Sequence, residues 1–149
     1  MPRILKSAAA LLSAVTPLLA GGIAPAGAQD VDMAQIGAVP GGVSTVLQNG
    51  NRNDASVNQL AVQSGLAPGQ NQALIVQSGD DNRASIGQEG SANSANIAQN
   101  GSGNEGAILQ MNSGNAAELQ QSGNGLSIKI EQYGAAIPGS APIMITQGN

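Results

Sequence analysis

The stretch Gln77-Ser78-Gly79-Asp80-Asp81-Asn82-Arg83-Ala84-Ser85-Ile86-Gly87-Gln88-Glu89-Gly90-Ser91-Ala92-Asn93-Ser94-Ala95-Asn96-Ile97-Ala98-Gln99 decides the fold. It states one pattern twice, Gln-x-Gly-x-x-Asn-x-Ala-x-Ile-x-Gln, with eleven residues from each glutamine to the next. The step continues outward: Gln77, Gln88, Gln99, Gln110, Gln121 and Gln132 are evenly spaced, and the same step joins Gln48 to Gln59. A fixed period of this kind marks an architecture built by stacking one unit on the next. An apolar repeat of that length could also wind a right-handed helical supercoil. Against it, a glycine stands two places after nearly every glutamine and is followed by Ser, Asn or Asp, so each unit holds a turn that would break a helix. Beyond the turn, Asn, Ala, Ile and Gln fall at alternate positions, which is the period of a strand with one buried face.

Each unit is therefore read as a short strand and a turn. The inward positions are Ala55, Val57 and Gln59, then Ala84, Ile86 and Gln88, then Ala95, Ile97 and Gln99, and so on to Ile143, Ile145 and Gln147. Outward positions are mixed and polar, as in Arg83 and Ser85, Ser94 and Asn96, or Lys129 and Glu131. Later units drift within the same spacing: Gly106 takes the alanine place, Asn112 the glycine place, and Leu126 and Ile128 replace an Asn and an Ala. So short a unit can stack on itself only if successive strands lie on opposite walls, which gives two units per coil and a rise of about 4.7 Å per coil. The expected fold is all-β, a two-walled β-solenoid with 22 residues per coil. Its interior is narrow, in keeping with Ala and Ile inside and the near absence of aromatic rings.

Identical amides stacked along such a solenoid can hydrogen-bond from coil to coil, as in cross-β assemblies, and so satisfy polar groups that would otherwise be buried unpaired. The expected self-assembly ladder comprises Gln48, Asn53, Gln59, Asn71, Gln77, Asn82, Gln88, Asn93, Gln99, Asn104, Gln110, Asn115, Gln121, Gln132 and Gln147. The asparagines are expected either to extend the ladder or to bond local backbone. Turn glycines, chosen for positive φ, are Gly50, Gly65, Gly79, Gly90, Gly101, Gly123 and Gly134. Two turns break the regularity: one in the region of Gln63 and Leu66 to Gln70, the other from Ala135 to Pro142.

Composition narrows the function. The 149 residues include one tyrosine and no His, Cys, Trp or Phe, so imidazole bases, thiol nucleophiles, zinc knuckles, iron–sulfur clusters and disulfides are excluded. No catalytic residue, metal site, cofactor or small-molecule substrate is expected. Five basic residues and a net charge of -4 argue against nucleic acid, which calls for clustered Lys and Arg. Arg3 and Lys6 precede an apolar stretch, Ser7 to Ala20, and a small-residue segment ending at Ala28, so residues 1–28 read as a secretory signal peptide. Residues 29–43 are expected to be an unrepeated segment, and residues 44–149 the repeat domain. Gly101-Ser-Gly103-Asn-Glu-Gly106 matches a dinucleotide-binding motif only by coincidence of turn and strand places, with no helix to follow it. Asp80-Asp81 reads as a solvated turn rather than a calcium loop, and Asp54, Glu105 and Glu118 as outward charges that restrain premature association.

From about Ser44 to Gln147 the repeat resembles that of the curlins, the subunits of the bacterial extracellular amyloid called curli. The signature Gln-x-Gly-x-x-Asn-x-Ala-x-x-x-Gln is complete in the units that begin at Gln48, Gln77 and Gln88. The resemblance implies secretion through a dedicated outer-membrane pore with accessory factors, then self-assembly into surface fibres that hold biofilm and aid adhesion. A second curlin subunit is the implied partner, and residues 29–43 take the place of the segment recognised for export. A glycine-bearing turn in nearly every unit is more similar to the minor, nucleating subunit than to the major one. The terminal unit, Ile143-Met-Ile-Thr-Gln147, lacks the basic residues that nucleator-like subunits tend to carry there. The alternative class is a soluble, capped β-solenoid on the cell surface, adhesive or ice-binding. Ice binding usually uses arrays of threonine, and past residue 28 only Thr45 and Thr146 occur.

Overall fold

The alternation of the repeat becomes an alternation of walls in the computed structural model of the chain, which describes residues 30–37, 42–61, 69–134, 136–137 and 141–149. Among the described residues there are ten strands and no helix: β1 (Asp30–Gly37), β2 (Val43–Asn49), β3 (Asp54–Ala61), β4 (Gln72–Ser78), β5 (Arg83–Gly90), β6 (Ser94–Asn100), β7 (Glu105–Met111), β8 (Ala116–Ser122), β9 (Ser127–Gln132) and β10 (Ile143–Gly148). Odd-numbered strands form one five-stranded sheet and even-numbered strands the other, each in sequence order. Every pairing is parallel. The chain is thus a two-walled β-solenoid, one strand per wall per coil.

Register follows the glutamines. On the odd wall Gln59, Gln88, Gln110 and Gln132 lie level in succession, and on the even wall Gln48, Gln77, Gln99, Gln121 and Gln147 do. Partners are 22 residues apart in the regular coils and 29 apart where the longer connection between β3 and β4 intervenes. The segment expected to stand outside the repeats contributes β1, with Gln35 level with Gln59. A thirteen-residue step from Gln35 to Gln48 hides it from a search at constant pitch. Residues 1–28, Gln63, Gly65, and part of the turn from Ala135 to Pro142 lie outside the described residues.

The core is two columns deep. Ala55, Ala84, Val57, Ile86, Ile108 and Ile130 face inward from the odd wall, and Ala73, Ala95, Ala117, Ile75, Ile97 and Leu119 meet them from the even wall, none more than 4% exposed. Gly106 in an alanine place is matched from across the interior. A Cβ there would lie 3.0 Å from Leu119 Cδ2 and 3.1 Å from Gln121 Oε1. Leu119 stands where the coils below carry Ile75 and Ile97, and its longer branch uses the room that Gly106 leaves.

Candidate functional site: glutamine and asparagine ladders

Six buried glutamines, Gln59, Gln77, Gln88, Gln99, Gln110 and Gln121, belong to two ladders that run in one direction. On the even wall the Nε2 of Gln48 donates to Gln77 Oε1 at 2.8 Å, that of Gln77 to Gln99 at 2.9 Å, and that of Gln99 to Gln121 at 2.8 Å. On the odd wall Gln59 donates to Gln88 at 2.8 Å, Gln88 to Gln110 at 2.9 Å, and Gln110 to Gln132 at 2.7 Å. The second proton of each Nε2 crosses the interior to a backbone carbonyl of the other wall: Gln88 to Gln72, Gln99 to Arg83, Gln110 to Ser94 and Gln121 to Glu105, all at 2.9 to 3.0 Å. Gln77, Gln88, Gln99 and Gln110 therefore each spend both donors and the acceptor, tying the two walls together, whereas the last even-wall rung, from Gln121 to Gln147, is not made. Polarity is uniform, with Nε2 toward the C-terminal coil and Oε1 toward the N-terminal one.

The asparagines resolve the two alternatives in favour of backbone. Their side chains do not stack amide on amide. Asn82, Asn93, Asn104 and Asn115 each donate their backbone N–H to the Oδ1 of the asparagine one coil below, at 2.9 to 3.1 Å. Each Nδ2 reaches the turn above: Asn53 to Gly79, Asn82 to Gly101, Asn93 to Asn112 and Asn104 to Gly123, at 2.7 to 2.9 Å. Asn71 bonds Gly90 in the same way, and Asn115 bonds Met111 within its own turn. A side chain one methylene shorter, held close to its backbone neighbours, is why Asn, not Gln, serves at the corner. The last coil breaks this column. Leu126 still donates its N–H to Asn104 Oδ1 at 3.1 Å, but it offers no amide upward.

Gly50, Gly79, Gly90, Gly101, Gly123 and Gly134 adopt positive φ, between 98° and 142°. At Gly101 an added Cβ would fall 1.9 Å from the carbonyl oxygen of Gly123, so stacking as well as backbone conformation demands glycine. Asn112, in the glycine place, relaxes to φ 72°, a left-handed angle that Asn tolerates. A second positive-φ place in each turn escapes the sequence reading: Arg52, Asp81, Ala92, Gly103, Gly114 and Gly125. The signal for it is glycine just before the asparagine place in the last three of these turns.

Residues 69–90 match the family model described as the Curlin associated repeat. This curlin repeat takes in β4, the turn after it and β5, hence one strand from each wall. The match supports the curlin family as the source of the pattern. Neither the curated proteins nor the solved structures yield a match to the chain. A curlin repeat folded as a β-solenoid with these ladders fits an amyloid-like curli subunit.

Charges lie at the turns and on the outer faces. Asp80 accepts the Asn51 N–H at 2.8 Å and its Nδ2 at 3.1 Å, and Asp81 pairs with Arg52 at 2.5 Å. The Arg52 hydrogen bond holds the Asp81 carboxyl below its ordinary value. Asp54 pairs with Arg83 at 3.3 Å, and Lys129 with Glu131 on the outer face of β9. Lys129 in turn keeps Glu131 low, and hydrogen bonding to Glu131 raises Tyr133. Among the described residues no three carboxylates gather into a metal-binding group.

Proposed function

We propose that the chain is a structural subunit of a secreted, curli-type amyloid fibre at the bacterial surface, growing by stacking coil on coil. The observation that carries this reading is the state of the even-wall ladder at its two ends. Gln48 Oε1, at the N-terminal end, is a buried oxygen without a hydrogen-bond partner among the described residues, whereas Gln77, Gln99 and Gln121 each accept from the glutamine one coil below. A buried, unpaired amide oxygen costs about 1–3 kcal/mol. The ladder polarity supplies the remedy: the N-terminal end needs a donor and the C-terminal end has Nε2 to give. A second copy, placed with its β2 above β10, continues the ladder from Gln147 to Gln48. No catalytic role is proposed for any residue.

The glycine-like turn recurring in each coil supports a nucleator-like role within such a fibre, together with a second curlin subunit. Residues 29–43 then serve export through an outer-membrane pore before Asp30–Gly37 joins the solenoid, and residues 1–28 direct secretion. Biofilm cohesion and adhesion follow as the roles of the fibre. The test is assembly: the purified chain should pass from disordered to β-rich on standing and give fibres with a meridional repeat of about 4.7 Å. A chain that stays soluble and monodisperse for days at micromolar concentration overturns the proposal.

A further inference from the structure

The two outer faces of the solenoid are unlike. Among the described side chains, Asp54, Arg83, Glu89, Glu105, Lys129 and Glu131 all lie on odd strands, and Glu118 on β8 is the only charged residue on an even strand. The outer even face presents two central columns, Thr45, Leu74, Asn96, Glu118 and Met144 beside Leu47, Val76, Ala98, Gln120 and Thr146. Leu47 is 38% and Met144 63% exposed, and Leu74 and Val76 are half-buried. A chain this poor in charge has thus concentrated its strand charges on one wall and left the other as a flat, nearly uncharged sheet. Faces of that kind pack on other sheets.

Resting on the stacking proposed above, we infer that the even walls of two stacks pack face to face, pairing two fibres of the same polarity. The occupant is a second copy, because the face is complementary to itself. A two-fold axis along the stack, between the central columns, sets Leu74 against Val76 of the second copy and Thr45 against its Leu47. It also sets Glu118 against Gln120 of the second copy, the residue type that already donates to Glu118 within the chain at 2.7 Å. The single charge thereby meets an amide donor rather than another carboxylate. An anionic lipid surface fits poorly, since this wall offers no cation.

Area decides when pairing occurs. Five strands of about seven residues make a face of about 24 by 23 Å, so two copies bury about 1,100 Å² together, at the threshold of a specific interface. Single chains fall short of stable pairing, whereas a stack multiplies the contact by its number of subunits. Pairing is therefore a property of fibres and not of the free chain.

The experiment is mass per unit length of fibres grown from the full chain, read by dark-field electron microscopy, with Val76→Lys compared against Ser85→Lys on the odd wall. The expected result is two chains per coil-stack rise for the unaltered protein and for Ser85→Lys, and a roughly two-fold loss for Val76→Lys with elongation unimpaired. Unaltered fibres of single mass, or Val76→Lys fibres that stay double, overturn the pairing and leave the stacking intact. A double mass lost in Ser85→Lys instead assigns the contact to the charged wall and also overturns it. Absence of fibres in the unaltered protein overturns the stacking, and the pairing with it.

Discussion

Coils built from β5 to β8 and the coil built from β9 and β10 share one register but differ in chemistry. In the former, Asn82, Asn93 and Asn104 clamp turn to turn, and small Ala84, Ala95, Gly106 and Ala117 sit beside Ile86, Ile97, Ile108 and Leu119. In the latter, Leu126 and Ala141 occupy the asparagine places, and Ile128 and Ile143 the alanine places. Polar clamps give way to apolar bulk where the solenoid ends. Ile143 is 42% exposed, against 0% for Ile97. The contrast teaches that interior coils are specified by satisfied amides, while the end coil carries unspent apolar surface and an open glutamine ladder.

The sharpest way to break the comparison is at the turns. Gly101→Ala puts a Cβ 1.9 Å from the Gly123 carbonyl oxygen, so neither coil can keep its place and β structure should be lost by circular dichroism. Gly134→Ala, with nothing within 4 Å of the added carbon, should cost only about 1–2 kcal/mol of backbone strain. Equal losses would mean that the end coil is stacked like the rest.

A smaller effect is expected in the ladder. Gln99→Ala leaves Gln77 Nε2 and Gln121 Oε1 without their buried partner, a loss of about 1–3 kcal/mol for each orphaned group, visible as an earlier denaturation midpoint. Gln147→Ala removes an oxygen that has no partner, so denaturation should hardly move while fibre elongation slows. A shifted midpoint with unchanged elongation for Gln147→Ala would reverse the roles assigned to the two regions.

The smallest effect belongs to the surface. The Asp81 carboxyl is held low in the folded chain by Arg52, so its stabilisation is present above the unfolded carboxylate value and is lost as pH falls through the lowered one. Both partners are exposed, and solvent screens the pair. Asp81→Asn should leave the acid-denaturation midpoint nearly unchanged; a clear shift would show that this turn contributes as much as the ladder does.

Much of this was legible from residue spacing. Constant glutamine pitch and the alternation through Ala84, Ile86 and Gln88 define strands, walls and the inward face, because period and burial are set by the same pleat. Asparagine bonding was not legible, since amide stacking and side-chain-to-backbone clamping share one spacing and differ only in side-chain reach. Ala92 and Arg52 at positive φ carry no compositional signal; the stacked turns impose their conformation. Gln35 was hidden by a connection two residues longer than the repeat allows. The uncharged even wall emerges only once alternate units are assigned to opposite walls.

The central claim is that β10 of one chain pairs with β2 of the next in the register of the ladder. That register brings Thr146 beside Leu47 of the next copy at the strand spacing of about 4.8 Å, within the Cα separation a disulfide accepts. Fibres of a chain carrying Leu47→Cys with Thr146→Cys should, on oxidation, run as a ladder of covalent multimers on a non-reducing gel. Fibres carrying Leu47→Cys with Ile145→Cys, whose side chains point to opposite faces, should not. Well-formed fibres of the first chain that remain monomeric on the gel, or multimers from the second alone, would contradict the account.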